Sequence, residues 1–465
     1  MLENLNESCG VFGVYAPGED VARITFFGLF ALQHRGQESA GIATADGAHI
    51  RVHTRMGLVN QAFDEPDLER LTGHIAIGHT RYSTTGASKI DNAQPLVVRG
   101  PAGEIALAHN GNVVNALPLR RELKEEGVQF QTTTDSEVIA WLIVHAPGKD
   151  WKDRVRYAMG RLKGAYSVTV LTQNSLIAFR DPLAVRPLCL GRLNSGWVVA
   201  SETCALDHLG ATFEREVAPG EAVLIKGGVM ESFQGAPSTE QASCVFESIY
   251  FSRPDSRSSG KLIYQLREAM GAQLAREHPV EADLVTGVPD SATAAAMGYA
   301  RECGIPYHEV LLKNRYVGRT FIQPDQRLRD LGVKLKFNPL TEVLEGKRVI
   351  LVDDSIVRGT TTPRVVSLLK RAGAREVHLR ITSPPIQWPC HFGVDMASRG
   401  ELIAANKSVE EIRQWIGADS LGYLSVDGLA SAVNGKRSNY CMACFTGAYP
   451  IPVQLELDKF VLETV

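Results

Sequence analysis

The stretch from Val349 to Thr361 constrains this chain more than any other. Four apolar residues in a row, Val349 to Val352, run into two carboxylates, Asp353 and Asp354, and then into a loop bearing Ser, Gly and Thr, ahead of a helical segment after Pro363. An unbroken apolar run, rather than an alternating one, describes a strand buried on both faces, which is the habit of parallel sheets covered by helices. Carboxylates at the end of such a strand lie where open α/β sheets gather their ligands. Two acids there can accept ribose hydroxyls. The loop's N–H groups and hydroxyls, with the positive end of the following helix, suit a phosphate.

The neighbouring sequence agrees with that reading. Leu262, Leu266, Met270 and Leu274 recur every four residues and predict a helix face, while the apolar stretches Leu284 to Val288 and Val377 to Ile381 alternate with helical patterns. A doubly wound parallel sheet follows. The first half differs, because short β-branched runs such as Ile105 to Ala108, Ser167 to Leu171 and Trp197 to Ala200 predict a layered α+β domain with antiparallel sheets. The expected division is 9–240, 241–433 and a tail 434–465, and 465 residues at 44% hydrophobic supply two cores comfortably. A net charge of -3 gives no field for nucleic acid or an anionic membrane. No apolar run approaches the roughly 20 residues that span a bilayer, and the N-terminus lacks a basic and apolar leader. A cytoplasmic protein acting on small molecules is expected. Eight cysteines in this length make no disulfide framework.

The string Val349 to Thr361 resembles the phosphoribosylpyrophosphate signature of type I phosphoribosyltransferases. Thr286-Gly-Val-Pro-Asp290-Ser291 resembles their pyrophosphate loop, and Lys313-Asn-Arg-Tyr-Val-Gly318-Arg-Thr-Phe-Ile-Gln-Pro324 resembles their flexible catalytic loop. Cations around a central glycine suit a lid over a highly charged substrate. The resemblance implies that Asp353, Asp354, Ser355, Arg358, Gly359, Thr360 and Thr361, with Asp290 and Lys313, bind phosphoribosylpyrophosphate. It further implies magnesium (Mg2+) held with Ser291, Asp353 and Asp354.

Near the N-terminus stands Cys9-Gly-Val-Phe-Gly. Four further segments, Gln33-His-Arg-Gly-Gln37, Gly78-His-Thr-Arg81-Tyr, Ala108-His-Asn110-Gly111-Asn and Thr134-Asp135-Ser, complete a pattern that closely resembles the glutaminase domain of N-terminal-nucleophile amidotransferases, an αββα sandwich. Amide hydrolysis needs a nucleophile and a base. A cysteine exposed at a chain start by proteolysis supplies both, through its thiol and its α-amino group. Residues 1–8 are then a propeptide. The resemblance implies that Asn110 and the Gly111 N–H stabilise the oxyanion, that Arg81 forks onto the α-carboxylate of glutamine and that Asp135 holds its α-ammonium. His79 and His109 are read as scaffold.

Cys441-Met-Ala-Cys444 alone is equally a zinc, redox or cluster motif. With Cys244 and Cys390 it resembles the ligand set of the subgroup that carries a 4Fe-4S cluster, and structural zinc on the same thiols is the rival. Cys189, Cys204 and Cys303 are read as buried hydrophobes.

Together the two sites resemble the amidophosphoribosyltransferase family. That implies glutamine-dependent synthesis of phosphoribosylamine with release of pyrophosphate and glutamate, the first committed step of purine synthesis. It also implies a homotetramer and feedback inhibition by purine nucleotides. Sugar-phosphate aminotransferases and asparagine synthetases share such a glutaminase but would lack the Asp353-Asp354 string. A non-enzymatic precursor sensor would need no nucleophile at Cys9 and would favour a DNA-binding segment, which is not found.

Overall fold

The computed structural model describes residues 9–82, 87–238, 240–314, 337–394, 396, 398–433, 435–452 and 462. The expected propeptide and the part of the cationic loop from 315 to 324 lie outside the described residues.

The first half stacks two antiparallel sheets. One has seven strands, in the order Thr212–Glu216, Cys189–Leu193, Gly196–Ala200, Gly10–Tyr15, Ile75–Arg81, Ser39–Ala45 and Ile50–Met56. The other has six: Val229–Gln234, Glu221–Lys226, Ser175–Arg180, Gly164–Leu171, Gly103–Val113 and Leu96–Gly100. Val11, Ile75, Ile77, Ala106, Ala108, Leu171 and Leu176 form the core between them. Helix Val21–Ala31 packs on the outer side of the first sheet, and Asp135–His145 and Trp151–Arg161 pack on that of the second. The result is the αββα sandwich. Because helices cover the outer faces too, Gly10–Tyr15, Ile75–Arg81 and Gly164–Leu171 are buried along their whole length.

The second half is built on a four-stranded parallel sheet ordered Leu284–Gly287, Arg348–Asp353, Glu376–Ile381 and Ser420–Tyr423. Helices Ile263–Glu277 and Thr293–Cys303 cover one face, and Thr362–Arg371 and Val409–Ile416 cover the other. Leu266, Met270 and Leu274 are buried as their spacing predicts. Leu262 departs from it, because it pairs with Arg257 in a short ribbon and Ile263 takes its place in the core. Thr362–Arg371 starts with Pro363 in its first turn, where the missing N–H leaves no intrahelical bond unmade. The core changes hands between Ala236, which packs with the six-stranded sheet, and Val245, which packs with the parallel one.

Candidate active sites

Cys9 immediately precedes strand Gly10–Tyr15, whose antiparallel register sets Gly10 against Thr80. That register carries the thiol to the end of Ile75–Arg81. There Sγ donates to the Tyr82 carbonyl at 3.2 Å and accepts from the Tyr82 N–H at 3.4 Å. Burial pushes the thiol above its ordinary pKa, against the pull of the Tyr82 hydrogen bond and the Arg81 charge. At neutral pH this sulfur is therefore a thiol, and to act as a nucleophile it would need a base. Arg81, almost wholly buried, lies 3.5 Å from Glu38.

Asn110 and Gly111 stand on the facing sheet, in strand Gly103–Val113. The two sheets are stitched at this level by His79 Nε2, which lies 3.0 Å from the His109 carbonyl. Asp135, the first residue of its helix, accepts from the Val113 N–H at 2.9 Å and so is tied to the same strand. His109 Nδ1 meets Ser136 Oγ at 3.1 Å, and burial pushes His79 down to about 3 and His109 below its ordinary value. Both imidazoles are thus neutral, hydrogen-bonded parts of the frame. Gly111 has φ of +149°, and a Cβ on it would fall 2.0 Å from the Ala165 carbonyl oxygen.

Sequence reasoning passed over four buried charges around this site. Arg35 Nε donates to the Cys9 carbonyl at 3.1 Å, and its other nitrogens bind Glu202 and Glu247. Arg186 Nη2 lies 3.0 Å from Glu247. Burial works against ionisation of Glu202 and Glu247, yet His34 and Arg35 hold the first, and Arg35 and Arg186 the second, below the usual carboxylate range. Removing one partner from such a buried set costs about 3–5 kcal/mol, since the rest stays desolvated and unpaired. Arg35 lies within a quoted motif, but nothing in the sequence pairs it with Glu247. Asn112 Nδ2 donates to the His391 carbonyl at 2.9 Å, so the second half also reaches this site from another side.

The acidic pair sits at the carboxyl end of Arg348–Asp353, in the middle of the parallel sheet. Asp354 accepts Ser291 Oγ and Ser355 Oγ at 2.6 Å each, and its N–H donates to Asp353 Oδ1 at 2.9 Å. Burial raises the Asp354 carboxyl despite those hydroxyls and the charge of Arg267. The loop Thr286 to Ser291 opens at the same end of the adjacent strand, where the Val288 N–H donates to the Val352 carbonyl at 2.9 Å. Thr361 is the cap residue of Thr362–Arg371, and the Gly359 carbonyl accepts Trp415 Nε1 at 3.0 Å. Arg358 lies 3.8 Å from Glu401, and Lys313 pairs with the exposed Asp290. Ser291, Asp353, Asp354 and the loop through Thr361 thus gather at one strand end, with Asp290 and Lys313 beside them. A shallow cleft of about 750 Å³ lined by Arg276, Glu281, Glu302 and Arg348 lies at the opposite, amino-terminal end of the strands, away from this chemistry.

Cys244 and Cys441 stand opposite each other in a two-residue parallel pair, Ser243–Cys244 with Tyr440–Cys441. The Cys444 carbonyl accepts the Gln387 and Trp388 N–H groups, which ties it to the segment of Cys390. Burial raises all four thiols, and Cys444 is raised further by the other three. Among the described residues, no group of three or more His, Cys, Asp or Glu side chains is arranged to hold a metal ion. Cys189 and Cys204 are buried as expected; Cys303, last in its helix, is partly exposed.

A buried thiol at the edge of the antiparallel sandwich and a strand-end acidic pair beside small-residue loops fit a glutamine amidotransferase domain joined to a phosphoribosyltransferase domain. Family models agree, with a glutamine amidotransferase domain matching residues 79–208 and a phosphoribosyl transferase domain matching 258–382. Amidophosphoribosyltransferases of Synechococcus elongatus, Archaeoglobus fulgidus and Bacillus subtilis are 51%, 53% and 49% identical to this chain, covering 99%, 96% and 97% of it and 95%, 98% and 96% of themselves. A solved structure described as the allosteric regulatory enzyme of purine biosynthesis has a TM-score of 0.92 at 47% identity, over 98% of both chains. The glutamine phosphoribosylpyrophosphate amidotransferase from B. subtilis, complexed with ADP and GMP, has a TM-score of 0.91 at 48% identity, over 96% of this chain and 98% of that one. The chain belongs to the amidophosphoribosyltransferase family.

Proposed function

We propose that this chain forms phosphoribosylamine, pyrophosphate and glutamate from phosphoribosylpyrophosphate, glutamine and water, the first committed step of purine synthesis. The observation that carries this reading is the presence of both constellations, around Cys9 and around Asp353 and Asp354, in one chain. The test is formation of phosphoribosylamine from glutamine and phosphoribosylpyrophosphate with magnesium; glutamine hydrolysis with no transfer to the sugar would reject it.

In the first half, removal of residues 1–8 frees the Cys9 α-amino group, which takes the thiol proton. The thiolate attacks the glutamine side-chain carbonyl, and the oxyanion receives hydrogen bonds from Asn110 and the Gly111 N–H. Collapse releases ammonia and leaves a thioester, which water converts to glutamate. Arg81 and Asp135 hold the α-carboxylate and α-ammonium and so exclude glutamine within proteins.

In the second half, ammonia attacks the anomeric carbon and pyrophosphate leaves. Asp353 and Asp354 accept the ribose hydroxyls. Ser355, Arg358, Gly359, Thr360 and Thr361 surround the sugar phosphate, and Asp290 and Lys313 face the pyrophosphate. The hydroxyl and carboxylate oxygens of Ser291, Asp353 and Asp354 suit magnesium, which when bound neutralises the diphosphate. Cys244, Cys390, Cys441 and Cys444 come from three segments that pack together, with Cys244 opposite Cys441. Their side chains are not gathered into a preformed metal site. As soft donors they would hold a 4Fe-4S cluster, tying the start of the second half to its core and tail, with zinc the rival that the same thiolates also suit.

We further read the protein as a cytoplasmic homotetramer inhibited by purine nucleotides. ADP and GMP on the B. subtilis relative support that inhibition. Among the described residues no helix is long and apolar enough to cross a membrane.

A further inference from the structure

One buried carboxylate in the glutaminase site belongs to the other half of the molecule. Phe246, Ile249 and Phe251 pack in the core of the parallel-sheet half, and Glu247 lies in the short π-helical turn between them. Its own side chain turns the other way. It accepts Arg35 Nη1 at 3.0 Å, Arg35 Nη2 at 2.7 Å and Ser252 Oγ at 3.1 Å, and it lies 3.0 Å from Arg186 Nη2. Arg35 in turn gives Nε to the Cys9 carbonyl at 3.1 Å. A guanidinium is planar, so fixing two of its nitrogens fixes the direction of the third. Rotation about the Cα–C bond would leave the α-amino group free, but Cys9 Sγ is itself held on Tyr82, so fixing the carbonyl as well restricts that rotation and orients the amine. The turn is itself clamped from behind: Arg267 donates to the carbonyls of Ser248, Tyr250 and Ser252 at 3.0, 2.9 and 2.7 Å.

We propose that Glu247 is a positioning residue for the Cys9 chemistry, delivered across the interface by the phosphoribosyl half: through the plane of Arg35 it holds the Cys9 backbone so that the α-amine faces its own thiol. This rests on Cys9 being the nucleophile and its amine the base. Its consequence is that the glutaminase site is complete only when the second half is docked. A misaimed amine slows proton transfer without weakening glutamine binding, because the residues assigned to the α-carboxylate and α-ammonium, Arg81 and Asp135, are not held by Glu247.

The test compares Glu247→Gln and Glu247→Asp with the parent enzyme, full-length and processed. Glu247→Gln should lower kcat for glutamine hydrolysis by at least about tenfold, the loss expected for a misplaced acid–base pair, with the glutamine KM within about twofold. Reaction of Cys9 with a diazo-ketone analogue of glutamine should slow in parallel, while ammonia-dependent synthesis stays within about twofold of the parent. Glu247→Asp keeps the charge that the buried arginines need and withdraws it by one methylene, so it should fold normally and show a smaller loss of the same kind. Unchanged hydrolysis and alkylation in folded Glu247→Asp and Glu247→Gln would overturn the proposal. So would a joint fall of hydrolysis and ammonia-dependent synthesis in Glu247→Asp, which marks a structural prop. Cys9→Ala separates this from the underlying reading: if that variant still hydrolyses glutamine, the nucleophile is misassigned, whatever Glu247 does.

Discussion

Replacing Gly111 with alanine tests the oxyanion assignment at a position where the structure sets the size of the effect. The backbone has φ of +149°, and the new methyl would lie 2.0 Å from the Ala165 carbonyl oxygen, 2.8 Å from its carbon and 2.9 Å from His109 Nε2. Gly393 of the second half already abuts Gly111 on another side, since a Cβ on Gly393 would fall 2.8 Å from the Gly111 Cα. Strand Gly164–Leu171 is backbone-paired and buried, so it cannot yield. Gly111 itself must move, by about 1 Å to restore an ordinary contact. A displacement of that size at a reacting centre costs about 10²-fold, and loss of one oxyanion donor costs about 10²–10³-fold, or about 2.7–4 kcal/mol. Gly111→Ala should therefore lower kcat for glutamine hydrolysis by about 10²-fold, and backbone strain should cost about 1–3 kcal/mol of stability. Steady-state glutaminase kinetics and thermal melts measure both. A folded variant with kcat within about threefold of the parent would refute the reasoning.

Other consequences are equally direct. Asp353→Asn combined with Asp354→Asn should abolish synthesis from glutamine and from ammonia alike while glutamine hydrolysis without phosphoribosylpyrophosphate continues; retained synthesis would move the sugar site elsewhere. Anaerobically purified protein should contain iron and sulfide, and Cys441→Ser should impair assembly and lower stability; stoichiometric zinc without iron would replace the cluster by the zinc rival. Glu202 and Glu247 are held below the ordinary glutamate value of about 4.3, so the stability they add is present above that pH and is lost as pH falls through their folded-state values. Melting temperatures below about pH 4.3 should accordingly fall less steeply for Glu247→Gln than for the parent, and equal slopes would count against the buried pair.

Much of the second half was legible because its elements carry local signals. The apolar run Val349 to Val352 fills the middle strand of the parallel sheet, and the Leu266, Met270 and Leu274 face packs into the core beneath it. Leu262 went astray because an i+4 repeat does not say where the helix begins. Ribbon pairing with Arg257 decides that. The first sandwich was harder, since strands buried on both faces do not alternate and their pairing is wholly long-range. Its candidate site residues are marked in the sequence only by short motifs. The contacts that complete that site are invisible along the chain: Arg35 and Glu247 lie 212 positions apart, and Asn112 and His391 lie 279 apart. Burial makes each pair, and no spacing announces it. Cys244 and Cys441 share that character, for a parallel pair two residues long gives no periodicity to read.

The most direct test of two separate sites in one chain is the dependence of synthesis on nitrogen donor in Cys9→Ala. Free ammonia bypasses the thioester and needs only the acidic pair and its loops, which lie in the parallel-sheet half, whereas the thiol lies at the start of the first half. Phosphoribosylamine formation should vanish with glutamine and persist with ammonium salts at the parental rate. Loss of the ammonia reaction as complete as loss of the glutamine reaction would contradict the two-site assignment.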